Sequence, residues 1–179
     1  MAANNGLYKR LMREMQDLKN YKDIKQLQLV FPFDGDPLPK NVSTYYVSKD
    51  APYLRVKIDN NELIIAFKSE YPFKPPVLLI NNVDFHRCYK IDQKLLYSKA
   101  ALAELHRKYK MYCLCCETAM CNGSGKWSPS IHISHILDEY KRFKEIKRYL
   151  NSYRTLLALN AQLDYMLPIE MIEKIRDYI

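Results

Sequence analysis

Glycine is scarce in this chain, with four glycines among 179 residues. Two of them, Gly123 and Gly125, lie close together, so unusual backbone angles are expected in that one loop. No apolar run approaches the roughly 20 residues that span a bilayer. The segment Met1 to Gly6 is polar and lacks the apolar core of a signal peptide. We therefore expect a soluble protein of the cytoplasm with no membrane partner.

The composition shows no sign of disorder. Hydrophobic residues make up 48% of the chain, which suffices for one compact domain and an accessory helical tail. Lys and Arg outnumber Asp and Glu by 28 to 20, a formal net charge of +8. This excess favours acidic partners and permits contact with nucleic acid or a membrane surface.

Five cysteines are present, and four of them lie between Cys113 and Cys121. An odd number, with Cys115 next to Cys116, cannot all form disulfides, so a reducing compartment is expected. The thiols are then available for chemistry or for metal. The spacing of Cys113 and Cys116 is that of a CxxC pair. A structural zinc ion is therefore one hypothesis, and its predicted ligands are Cys88, Cys113, Cys116 and Cys121, with His86 as an alternative to Cys88.

Apolar spacing predicts one helix followed by four strands. Apolar residues recur at helical spacing from Leu7 to Leu18, which indicates an amphipathic helix. Apolar segments with strand periodicity follow, and the triplet Asp59-Asn60-Asn61 is typical of a tight hairpin turn. The predicted strands cover residues 27–33, 54–58, 63–67 and 77–80. A helix, a four-stranded antiparallel meander and C-terminal helices make an α+β fold.

Further helical segments are expected after the strands. Alanines and leucines favour an inserted helix near 96–110, and apolar residues recur with helical period over 131–150. Beyond them lie two apolar helical stretches, separated by Pro168, a residue that suits the first turn of a helix. The predicted organisation is one domain of residues 7–150, containing the insertion, and a helical C-terminal extension of residues 151–179.

A series of motifs gives the chain its most specific pattern. Tyr71-Pro72-Phe73-Lys74-Pro75-Pro76 is followed by an apolar strand, by His86, by the clustered cysteines and by Trp127-Ser128-Pro129. This order resembles the ubiquitin-conjugating enzyme family, and His86 has that family's spacing from Tyr71. The resemblance implies a conjugating-enzyme fold and transfer of ubiquitin, or a ubiquitin-like modifier, as a cysteine thioester. It requires no cofactor.

The residues around the chemistry depart from the family's pattern. Where the family has His-Pro-Asn, this chain has His86-Arg87-Cys88, and the inserted segment separates His86 from Cys113 by 27 positions (113 − 86). In the family the nucleophilic cysteine is followed by a leucine, a polar residue and two apolar residues. Cys116 keeps the polar-then-apolar order and is the predicted nucleophile, with Cys113 second. His86 is the third predicted active-site residue, and in the family it braces the loop beneath the thiol.

Surfaces for partners follow from the same resemblance. Lys9, Arg10 and Arg13 on the first helix would contact the activating enzyme, whereas Phe73 and Pro129 would contact a ubiquitin ligase. An ordinary solvated helix face is the alternative for the basic residues, and core packing is the alternative for Phe73. The clustered cysteines also resemble the versions carried by large DNA viruses, which implies a viral protein in the host cytoplasm or the virion.

Two other functions compete with catalysis. The first is a non-catalytic, zinc-stabilised variant that binds ubiquitin or scaffolds a partner. The second is nucleic-acid binding by the basic run from Lys141 to Arg148. Nucleic acid is not the expected partner, because Glu139 and Glu145 interrupt the basic residues and because no stacking aromatic residues are clustered with them in the sequence.

Overall fold

The computed structural model of this protein describes residues 5–31, 51–89, 99–112, 117–121, 125–162 and 167–177. It confirms an α+β fold with an N-terminal helix, an antiparallel sheet and C-terminal helices. The helices are α1 (Asn5–Lys19), α2 (Phe85–Tyr89), α3 (Lys99–Tyr109), α4 (Ile133–Gln162) and α5 (Ile169–Asp177). The strands are β1 (Ile24–Val30), β2 (Tyr53–Ile58), β3 (Asn61–Ala66), β4 (Val77–Ile80) and β5 (Val83–Asp84).

The sheet is a meander in which each strand pairs with the next along the chain. Ile58 pairs with Asn61 across a turn in which Asp59 has a φ of 53°, a conformation that Asp tolerates better than most residues. The predicted set of four strands is approximately right. The structure adds β5, whose two residues are too few to produce a hydrophobic period.

The chain divides into two compact units. The first unit comprises Met1–Cys88 and Cys115–Glu139, and the second comprises Tyr89–Leu114 and Tyr140–Ile179. The core of the first unit is built by α1 and the sheet, including the continuously buried stretch Leu63–Phe67. The assignment of residues 7–150 to one domain and 151–179 to an extension stays a prediction.

The second unit is helical. Its buried side chains include Leu105 of α3 and Phe143, Ile146 and Leu150 of α4. The carboxylate of Glu104, also buried, accepts two hydrogen bonds of 2.8 Å from Arg107 and one from the hydroxyl of Tyr149 on α4. This network joins α3 to α4 through a charged group that is fully hydrogen-bonded.

The last two helices meet at a short connection. α4 continues to Gln162, 12 residues beyond the predicted end at 150 (162 − 150). The buried side chain of Asn160 exchanges two hydrogen bonds of 3.0 Å with the backbone of Leu167. α5 follows directly after Pro168. None of the helices in the described ranges is both long and apolar enough to cross a bilayer.

Candidate functional site

A cleft of about 250 Å³ lies beside the end of the hexapeptide in the first unit. Pro75 and Pro76 form part of its wall, and Cys121 and His86 also line it. The remaining lining residues are Lys68, Val77, Leu78, Asp84, Phe85 and Met120. The cleft is therefore lined by a cysteine, a histidine, a lysine and an aspartate among apolar residues.

Cys121 is held in this cleft by the backbone segment that precedes it. The fully buried Thr118 donates a hydrogen bond of 2.6 Å from its hydroxyl to Glu139, whose carboxylate also accepts one of 3.0 Å from the amide of Ala119. The amide of Cys121 then donates to the carbonyl of Thr118, at 3.2 Å. Glu139, in the second turn of α4, thus fixes the position from which the half-buried Cys121 faces the cleft.

His86 reaches the cleft from the short helix α2. The carboxylate of Asp84 accepts a hydrogen bond of 2.9 Å from the amide of His86, which satisfies a donor at the start of the helix. The ring of His86 stands edge-on to buried Phe85, with 5.7 Å between ring centroids. His86 therefore lines the same cleft as Cys121, and its predicted role in bracing the active-site loop stays a prediction.

The hexapeptide is anchored by aromatic residues. The peptide bond between Tyr71 and Pro72 is cis. The indole nitrogen of Trp127 donates a hydrogen bond of 2.8 Å to the carbonyl of Pro72, and the Trp127 ring lies 6.2 Å from that of Tyr71. The half-buried tryptophan therefore ties the Trp-Ser-Pro motif directly to the hexapeptide, 55 positions earlier in the chain.

A second groove of about 250 Å³ adjoins the same cysteine. Its lining residues are Phe73, Lys74, Pro75, Cys121, Gly125 and Trp127. Phe73 is 80% exposed, so it is not packed in the core, the alternative left open by the sequence. Pro129 is exposed as well. A ligase contact through Phe73 and Pro129 stays a prediction.

The three basic residues predicted to meet a partner differ in their surroundings. Lys9 and Arg13 are exposed on α1. Arg10 is half-buried and donates hydrogen bonds to the hydroxyl of Tyr71, at 3.1 Å, and to the carbonyl of Ile131, at 3.3 Å. Its guanidinium also pairs with Glu14 at 3.4 Å. Arg10 therefore braces the first unit, and a partner contact through it stays a prediction.

Two groups near the hexapeptide have shifted pKa values. Burial raises the pKa of the Tyr71 phenol, although the hydrogen bond from Arg10 opposes that shift. Glu70 is exposed, and the hydrogen bond and the charge of Lys74 lower the pKa of its carboxyl. The tyrosine is therefore the more informative group for the pH dependence of folding.

Several predicted site residues lie outside the described residues. Among them are Cys116, the predicted nucleophile, and Cys113, the second candidate. Of the predicted zinc ligands, the structure describes Cys88, whose sulfur lies 3.7 Å from the carbonyl of Val83, and Cys121. The sequence indicated Cys121 as a metal ligand and not as a nucleophile, and its place in the cleft depends on the contact between Thr118 and Glu139.

Metal-ligand geometry was found at one place in the described parts of the chain, where Glu14, Asp17 and His132 come together. The carboxylate of Glu14 already accepts a hydrogen bond of 2.9 Å from the amide of Ile133 and pairs with Arg10 at 3.4 Å. It also lies 3.4 Å from the ring of His132. These contacts explain the cluster without a metal ion.

Comparisons of this chain with protein-family models, with curated proteins and with solved structures found no match.

Proposed function

We propose that this chain accepts ubiquitin or a ubiquitin-like modifier as a thioester on a cysteine of the cleft and passes it to a further acceptor. The observation that carries the proposal is the position of Cys121, half-buried between Pro75 and His86 and bordered by a second groove at Phe73 and Trp127. A cysteine thiol beside the hexapeptide and His86 is what the resemblance to conjugating enzymes implies.

The reaction requires the protein to position a cysteine thiolate and to stabilise the negative charge that develops on the carbonyl oxygen. The cysteine thiolate attacks the carbonyl carbon of the thioester on the activating enzyme. A new carbon–sulfur bond forms, the old one breaks, and the activating enzyme leaves as a thiolate. A strong general base is not required, because the acyl group is already activated. Negative charge develops on the carbonyl oxygen during attack, and we expect Lys68, a cationic residue that lines the same cleft, to stabilise it.

Two cysteines compete for the role of nucleophile in this proposal. Cys121 is supported by its place in the cleft, whereas Cys116, which lies outside the described residues, is supported by the residue pattern that follows it. The backbone amides of Met120 and Cys121 both donate to Thr118, at 3.2 Å, so they are not oriented toward an oxyanion in this arrangement. Polar stabilisation would therefore come from side chains such as Lys68.

A thioester assay tests the proposal. The full chain is incubated with activating enzyme, ATP and ubiquitin, and we expect an adduct that dithiothreitol removes. Cys121→Ser should convert it into an ester that resists dithiothreitol, while Cys88→Ser, the matched control in the same unit, should leave the thioester intact. If Cys116→Ser instead gives the ester, Cys116 is the nucleophile and the assignment of Cys121 is wrong.

The non-catalytic alternative gives different results in the same experiments. It expects no adduct with ubiquitin or with any ubiquitin-like modifier, and it expects zinc in protein purified without chelator. Zinc that is lost on replacing Cys113 or Cys121 would assign those thiols to a structural metal site. Binding of ubiquitin without an adduct would then identify a scaffold rather than an enzyme.

A further inference from the structure

The positive charge of this protein is concentrated in its second unit. Tyr89–Leu114 and Tyr140–Ile179 together carry 14 Lys and Arg against 7 Asp and Glu, an excess of 7. The first unit carries 14 against 13, an excess of 1. Nearly the whole net charge of +8 therefore belongs to the helical unit. Such a concentration is the electrostatic signature expected of a surface that attracts an anionic polymer.

Aromatic rings lie among these basic groups. The ammonium of Lys108 lies 3.7 Å from the ring centroid of Tyr149 and 5.8 Å from that of Tyr109, and the two tyrosine rings lie 5.7 Å apart. The guanidinium of Arg142, exposed on α4, comes within 3.5 Å of the carbonyl of Tyr109. Cations and aromatic faces therefore alternate where α3 and α4 meet within this unit.

The end of α3 presents one aromatic ring to solvent. Lys110 adopts a φ of 55°, the left-handed conformation that often ends helices, and its amide closes the last turn on the carbonyl of His106 at 3.0 Å. Met111 is buried directly after this turn, whereas Tyr112 is 70% exposed. The Tyr112 ring is tilted against the exposed His106, with 4.5 Å between the ring centroids. Tyr112 is therefore an accessible aromatic ring, two positions after Lys110 in the chain.

The structure changes part of what spoke against a nucleic-acid partner in the sequence. Glu139 belongs to the first unit, and its carboxylate is occupied by Thr118 and Ala119. α3 brings a further aromatic residue beside α4, because Arg142 donates a hydrogen bond to the carbonyl of Tyr109, 33 positions earlier in the chain. Glu145 remains exposed within the run.

We propose that the second unit binds single-stranded nucleic acid through the α3 terminus, which we define as His106, Lys108, Lys110 and Tyr112. The lysines would pair with phosphates, and Tyr112 would stack on an unpaired base. A single strand is favoured over a duplex because stacking requires a base that is free of its partner strand. This activity is independent of thioester transfer.

Fluorescence polarisation of the full chain with a labelled oligothymidylate of 20 nucleotides tests this proposal. Tyr112→Ala, which changes no charge, should weaken binding about five-fold or more. The double variant Lys108→Glu and Lys110→Glu should weaken it about ten-fold or more, and removal of two phosphate contacts should lower the slope of log K against log salt by about 1.4. An oligouridylate arm distinguishes RNA from DNA as the preferred strand.

Matched control variants distinguish binding at the α3 terminus from nonspecific electrostatic attraction to the whole protein. The double variant Lys22→Glu and Lys25→Glu makes the same change of charge at exposed positions of the first unit and should retain near-normal affinity. Melting temperatures verify that each variant folds, and Cys121→Ser should bind like the parent chain. The proposal is overturned if polyglutamate of the same length binds as tightly, if Tyr112→Ala binds like the parent, or if the control variant loses as much affinity.

Discussion

At the scale of single residues, Arg10 and Tyr71 connect the first helix to the hexapeptide. The guanidinium of Arg10 lies 5.1 Å from the centroid of the Tyr71 ring and donates to its hydroxyl. The Tyr71 ring also packs edge-on against buried Phe67, at 4.8 Å. A tyrosine that begins the most distinctive motif is therefore a buried hydrogen-bonded group as well as a turn residue.

Replacing Tyr71 by Phe should change how stability depends on pH. In the folded protein the raised pKa keeps the phenol protonated above pH 10, where the unfolded chain, with a usual pKa of about 10, begins to ionise. Unfolding then releases a proton, so the contribution is complete below pH 10 and is lost as pH rises through the folded pKa. Urea unfolding at pH 8 to 11 should show a shallower alkaline loss for Tyr71→Phe than for the parent. Equal slopes would contradict this prediction.

At the scale of secondary-structure elements, the N-terminus of α4 is stabilised by a carboxylate from a different helix, α1. Glu14 of α1 accepts the hydrogen bond from the amide of Ile133, the first residue of α4. A carboxylate at a helix N-terminus also interacts favourably with the helix dipole. Glu14 is therefore buried on α1 because its carboxylate accepts a hydrogen bond from the N-terminus of α4.

Glu14→Ala should lower the free energy of unfolding by about 1–3 kcal/mol, because it leaves a buried amide of α4 without its acceptor. Asp17→Ala is the matched control, since Asp17 is exposed on the same helix and surface changes usually stay within about 0.5 kcal/mol. Denaturant unfolding monitored by circular dichroism measures both. A loss as large for Asp17→Ala as for Glu14→Ala would show that the hydrogen bond to α4 is not the cause.

The buried Glu104 makes a comparable connection between α3 and α4. Glu104→Ala removes the acceptor of the Tyr149 hydroxyl and of Arg107 and should also cost about 1–3 kcal/mol. Glu145→Ala, at an exposed position of α4, should change stability by about 0.5 kcal/mol or less. Amide hydrogen exchange locates the effect, which should appear as faster exchange in α3. Unchanged protection of α3 in Glu104→Ala would refute this role.

At the scale of the whole molecule, the sequence allowed us to predict those helices and strands whose signals lie within a short segment. The amphipathic α1 was recognisable from its helical period, the hairpin between β2 and β3 from its turn residues, and β4 at Val77–Ile80 from a short apolar run. His86 was singled out by a resemblance, and the structure places it in the cleft with Pro75 and Pro76. These features arise within short segments or from a known order of motifs.

Features that depend on distant contacts could not be predicted from the sequence. The presence of Cys121 in the cleft depends on Thr118 and Glu139, which are 21 positions apart. The division into two units, with the charge collected in one of them, joins segments from separate parts of the chain. Contacts between residues this far apart produce no repeating pattern in the sequence, so they could not be predicted from it.

The single tryptophan of the protein has a practical consequence. The Trp127 indole borders the groove of Phe73 and Cys121 and is hydrogen-bonded to Pro72. Its emission therefore reports on that one neighbourhood, with no other indole to obscure the signal. Acylation of Cys121 or docking of a protein on Phe73 should shift the emission wavelength, so both events can be timed in the unlabelled chain.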